Sequence, residues 1–99
     1  MSWDQHLAED RRLAILRVLD AAPGYAANES LLHAAIERVG HIVGRDLLRS
    51  DLAWLAEVGL LRLSVIAGTL SVATITGRGQ DVAQGRAVVP GVKRPRAGD

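Results

Sequence analysis

Residues 45–61 read RDLLRSDLAWLAEVGLL, and this stretch decides the fold class. Leu48, Leu52, Leu55 and Val58 recur at i, i+4, i+7 and i+10, one apolar stripe on a helix that begins near Val43 or Gly44 and runs to Val58. Gly59 stops it. The pattern then changes: LLRLSVIA at 60–67 is rich in β-branched residues and alternates as a strand does. LSVATIT at 70–76 has the same character, and Gly68-Thr69 between them is a turn candidate, so the two runs predict a β-hairpin.

Two helices are expected upstream. Residues 4–22 place Leu7, Ala8, Ala14, Ile15, Leu16, Val18, Leu19 and Ala22 over more than half of a helical wheel, wider than the stripe of a surface helix. Such a helix is covered on two sides, the second cover being either another subunit, through Leu7, Ile15 and Val18, or the helix's own neighbours. Ala-Pro-Gly at 22–24 ends it. Asn28 suits the N-cap of a second helix with Glu29 in its first turn, Leu32, Ala35, Ile36 and Val39 form its apolar face, and Gly40 suits its C-terminal cap. A connector from about His41 to Gly44 leads into the third helix. Downstream, Thr76 can cap a short last helix with Val82 and Ala83 inward, and GRAVVPGVKRPRAGD, dominated by Pro, Gly and basic residues, reads as loosely held.

The expectation is one mainly α domain with a β-hairpin (an α+β fold) over 1–85, in the order helix, helix, helix, strand, strand, helix, and a flexible basic tail over 86–99. Two helices joined by a tight turn and followed by a hairpin describe a winged helix-turn-helix. A three-helix bundle with an unrelated hairpin is the alternative.

Composition narrows the function. Aromatic residues make up 3% of the chain, namely Trp3, Tyr25 and Trp54, so the core is aliphatic and base-stacking platforms for single-stranded nucleic acid are lacking. Cysteine is absent, which removes disulfides, thiolate metal sites and thiol nucleophiles. No apolar run has the length of a membrane span, and the charged N-terminus MSWDQHLAEDRR is unlike a signal peptide. These features predict a soluble cytoplasmic protein. Net charge is +1, but residues 86–99 carry Arg86, Lys93, Arg94 and Arg96 against Asp99, so the remainder is slightly acidic.

LAWLAEVGLLRL is similar to the end of the recognition helix and the start of the wing in winged-helix regulators of the MarR and ArsR type, and TITGRG at 74–79 resembles the Thr-x-x-Gly turn after their second wing strand. Over nearly its full length the chain resembles small winged-helix proteins of Mu-like transposable phages and prophages, with their short N-terminal helix, WL..GL core and T..G...A.G ending. The resemblance implies a winged helix acting in a bacterial host, with double-stranded DNA as the expected partner and transcriptional regulation as the expected role.

For DNA binding, the start of the third helix offers Arg45, Arg49 and Ser50. The two arginines are i, i+4 neighbours on a face away from the leucines and could reach guanine edges or phosphates. Arg62 and Arg78 could touch phosphate, and Lys93, Arg94 and Arg96 could follow a backbone as a basic arm. Against this stand Asp46 and Asp51 beside the arginines and a wing tip, VIAGTLS, without Lys or Arg. Arg45 and Arg49 can equally be a solvated face with local pairs to Asp46. A homodimer through the first helix is expected with the winged helix, and the competing expectation is a module that binds another phage protein, as a packaging or assembly accessory, through apolar surface. Trp54 reads as packing, at the helix flank or a subunit contact.

Other signals are weak. His6, His33 and His41 lack metal-site spacing. GRGQDV at 77–82 follows a hairpin strand and lacks the third glycine of a dinucleotide fingerprint. Ser30, Ser50, Ser64 and Ser71 sit in no nucleophile motif. The expectation is therefore no enzyme, no metal and no cofactor.

Overall fold

A computed structural model describes residues 2–68 and 70–98 of the chain. Helix α1 spans Trp3–Ala21, strand β1 Ala26–Asn28, helix α2 Glu29–Arg38, helix α3 Arg45–Glu57, strands β2 Leu61–Ile66 and β3 Leu70–Ile75, and helix α4 Gly77–Ala83. The fold is thus α+β, and the helices fall in the expected order.

The helix ends follow from side chains that satisfy otherwise unpaired backbone N–H groups. Ser2 and Gln5 form a reciprocal capping box at α1. Asn28 accepts from the Leu31 N–H at α2, and Thr76 accepts from the Gly79 N–H at α4. Helix α3 starts at Gly44 with no side-chain cap.

The hairpin is not alone. β1 pairs antiparallel with β3, Ala27 opposite Ala73, giving the order β1-β3-β2. The expected order, with no strand between the first two helices, is corrected by this three-residue strand. Ala-Ala-Asn has little strand propensity of its own, and it is held in place by pairing. The turn Pro23–Tyr25 before it is a 3₁₀ turn in which Tyr25 has a positive φ of 59°. In the hairpin, β2 pairs with β3 without interruption from Leu61 opposite Ile75 to Ile66 opposite Leu70. Of the expected Gly68-Thr69 turn, Thr69 lies outside the described residues.

One aliphatic core lies where α1 crosses the other elements. Ile15, Leu16, Leu19, Leu32, Ile36, Leu48, Leu55 and Leu60 are fully buried, each stabilising the fold by roughly 1.5–3 kcal/mol relative to exposure. Helix α1 contacts all three other helices. Its wide apolar face is therefore covered largely by the chain itself, and Ile15, at 0% exposure, is unavailable as a dimer contact.

The segment read as a loose tail from residue 86 is docked over its first part. Val89 and Val92 are buried, the Lys93 N–H donates to the Glu9 carbonyl at 3.1 Å, and Arg12 Nη1 donates to the Gly91 carbonyl at 3.0 Å. Val89 and Val92 supply the apolar area that the Pro and Gly content of this stretch obscures.

Candidate interaction surface

The exposed side of α3 is set by its leucine stripe. With Leu48, Leu52 and Leu55 inward, Arg45, Asp46, Arg49, Ser50 and Ala53 turn to solvent. Arg45 and Arg49 do share a face, and Glu29 at the start of α2 lies against both. Arg49 Nε donates to Glu29 Oε1 at 2.5 Å, Arg45 Nη1 is 4.0 Å from Glu29 Oε2, and Arg45 Nη2 donates to Ser30 Oγ at 3.1 Å. Arg49 also has Asp46 at 4.0 Å, one turn earlier. Two guanidinium groups are thus matched by two carboxylates, and the end of α3 that would enter a groove is electrically neutral.

The remaining expected cations are dispersed. Arg78 Nη1 donates to the Val58 carbonyl at 2.7 Å, closing the C-terminus of α3. Lys93 Nζ donates to Asp10 Oδ1 at 3.2 Å on α1. Arg62 is exposed on β2, on the face that carries Ser64, Ile66, Leu70, Val72 and Thr74. Arg94 and Arg96 are exposed beyond the docked segment.

Of the residues expected at a dimer contact, Leu7 and Val18 are partly exposed along grooves beside α1, Val18 next to Ala14, Arg17 and Val39.

Asp51 is not the surface carboxylate expected from its place beside Arg49. It is 2% exposed and ion-paired with Arg11 Nε and with Arg12 Nε, the latter at 3.1 Å. The signal was present: Asp51 lies three residues after Leu48 and four before Leu55, on the core stripe. Arg12 also stacks over Trp54, 4.2 Å from the ring centroid, so Trp54 serves as packing inside the chain.

His41 is another residue whose role the sequence hid. It is buried, and its Nε2–H donates to Asp10 Oδ2 at 2.7 Å. Burial raises the Asp10 pKa, but the hydrogen bonds and charges of His41 and Lys93 outweigh it, and the carboxyl lies below its ordinary value. His33 Nε2–H donates to the Val43 carbonyl at 2.7 Å and ties α2 to the connector. Among the described residues no group of His, Cys, Asp and Glu could hold a metal ion, and no helix is long and apolar enough to cross a membrane.

The hairpin departs from an ordinary polar surface. Beyond Leu61, every residue of β2 is exposed on both faces. Leu63 is 42% exposed, Val65 64%, Ile66 53% and Leu70 40%. Leu63 and Val65 continue the face that carries buried Leu61, so the core side of the sheet runs past the body into solvent.

No protein-family model matches the chain. It is 51% identical over 90 residues to the uncharacterised protein gp26 of Escherichia phage Mu, covering 91% of this chain and 92% of that one. The chain belongs to the family of phage Mu gp26. An uncharacterised protein of Haemophilus influenzae is 44% identical over 78 residues, 79% of this chain and 76% of that one. This gp26-family chain therefore shares nearly its whole length with the phage protein.

Proposed function

We propose that this phage-derived domain is a winged helix that works in the bacterial host by contacting protein rather than by reading duplex DNA, with the β2–β3 hairpin as its contact element. Support for the winged helix comes from the α2–turn–α3 pair, the hairpin that follows it, and β1 closing the sheet against β3. The observation that carries the function is the contrast between the two surfaces. Phosphate contact needs uncompensated cations, and here Glu29 and Asp46 neutralise Arg45 and Arg49. A contact surface for protein needs uncovered apolar area, and the hairpin exposes Leu63, Val65, Ile66 and Leu70. An accessory role in phage packaging or assembly fits such a module.

A second reading, sequence-directed DNA binding and regulation, is favoured by one feature. Arg45, Arg49 and Ser50 all remain solvent-accessible on one side of α3, with Arg62, Arg78 and the Lys93, Arg94 and Arg96 segment as further cations.

The test is complementation in the phage or prophage that carries the gene, paired with fluorescence anisotropy on pooled duplexes of its genome at low salt. Under the proposed reading, Leu63→Glu with Val65→Glu abolishes phage yield, Arg45→Ala with Arg49→Ala preserves it, and duplex DNA is not bound. Salt-sensitive DNA binding, with phage yield lost in the arginine variant and kept in the hairpin variant, overturns it and establishes the second reading.

A further inference from the structure

We infer that the partner of the hairpin is a second copy of this chain, added edge to edge through β2 as an antiparallel strand; this names the occupant of the contact element proposed above and rests on that reading. Three observations carry it. First, β2 is the outer strand of the sheet, so one side of its backbone from Leu61 to Ile66 has no strand beside it among the described residues. A row of open N–H and C=O groups is complementary to another strand.

Second, the edge has none of the usual guards. Pairing with β3 runs without a bulge, and LRLSVI contains no Pro and no Lys, Arg62 being its one charge.

Third, the strand is self-complementary about Ser64. A two-fold axis perpendicular to the sheet makes directly opposed residues share a face. Centred on Ser64, it sets Ser64 opposite its own copy, Leu63 opposite the second copy's Val65 and Arg62 opposite its Ile66. Both apolar residues of the core-side face then meet apolar residues. The two Arg62 side chains stand roughly 13 Å apart along the strands. Shifting the centre to Leu63 places Arg62 opposite Ser64 and leaves Val65 against buried Leu61 at the body, where the strand is already covered. The Ser64 register produces a continuous six-stranded sheet with Leu63 and Val65 of both copies in one cluster.

The chain contains no cysteine, so one introduced thiol reads the register directly. Directly opposed antiparallel residues have Cα atoms about 4.5–5.5 Å apart, within the roughly 4.4–6.8 Å that a disulfide spans. The experiment is analytical ultracentrifugation of the full chain from micromolar to millimolar concentration, with oxidative cross-linking of Ser64→Cys and of Arg62→Cys, folding being checked by circular dichroism. The expected result is a species of about twice the 10.6 kDa chain mass, a covalent dimer from Ser64→Cys, none from Arg62→Cys, and a monomer from Leu63→Glu. A wild-type monomer throughout with no Ser64→Cys cross-link overturns the inference, as does a dimer in which Ser64→Cys stays reduced or Arg62→Cys links instead. These readouts are independent of phage yield. A monomer whose Leu63 and Val65 are still needed for phage yield sinks the self-pairing alone. A cross-linked dimer whose hairpin is dispensable sustains the pairing and sinks the contact role.

Discussion

Arg11 and Asp51, forty residues apart, form a buried ion pair that fastens α1 to α3, with both residues at most 5% exposed. Charges this deep are stable only while paired, because an isolated one retains its full desolvation penalty. Asp51→Ala leaves Arg11 without its carboxylate and is expected to destabilise the domain by about 3–5 kcal/mol. Arg11→Met combined with Asp51→Leu, which removes the buried pair, keeps volume and leaves the part-exposed Arg12 its bond to the Gly91 carbonyl, is expected to recover most of that loss. Urea denaturation of the two variants measures both. Equal destabilisation in the single and double variants would contradict the pair's assigned role.

Gly79 in α4 is a packing requirement and not a conformational one. A Cβ there would sit 2.0 Å from the Leu60 carbonyl oxygen, which is backbone and cannot step aside. Gly79→Ala is expected to cost about 3 kcal/mol, the upper end of the range for overpacking. Gly77→Ala, two residues earlier with open space around it, is expected to be neutral or slightly stabilising. Thermal melts of the two variants compare the sites.

Gly91 combines both constraints. Its φ of +101° disfavours any side chain, and a Cβ would meet the Trp54 ring at 2.7 Å. Gly91→Ala is expected to lift the docked segment off α3 while the rest of the fold holds. Limited trypsinolysis would then cut after Lys93 faster than in the wild type, and Trp54 fluorescence would shift. Unchanged cleavage would mean that the segment is held by Val89 and Val92 alone.

Acid stability has an identifiable contributor in Asp10. Its pKa is lowered in the fold by His41 and Lys93 in spite of burial. A carboxyl with a depressed folded pKa contributes stability that is fully present above its unfolded value of about 3.9 and is lost as pH falls through the lower folded value. Asp10→Asn removes that contribution. The variant's urea midpoint is expected to fall less than the wild type's on moving from pH 5.5 to below about pH 3.5. Parallel curves for the two proteins would show that another group controls the acid limb.

Much of this architecture is written in periodicity. The leucines of α3, the alternation of β2 and β3, and the caps Asn28 and Thr76 are local signals, and local signals are legible along a chain. What escaped is long-range. β1 exists through its pairing with β3, which no property of Ala-Ala-Asn announces. Glu29 reads as a first-turn acid, which it is, but its position between Arg45 and Arg49 depends on how α2 crosses α3. Asp51 shows the intermediate case: its place on the leucine stripe marked it as buried, and the identity of the buried partner required the three-dimensional fold. The exposed apolar hairpin was hidden for a related reason. Leu63 and Val65 alternate as core residues do, and the sequence does not say where the body of the domain ends beneath them.

The docking of Gly91 and Lys93 onto α1 also sets an order of events during synthesis. Arg12 meets its carbonyl partner 79 residues further along the chain, and α1 finds α4 only after the hairpin has been made. Helix α1 thus packs on α2 and α3 well before the segment that completes its cover has been made. Contacts of such separation slow folding because their loops close late. The domain is complete only once Val89 to Lys93 have been made, and a chain that stops before Val89 leaves α1 without its last cover.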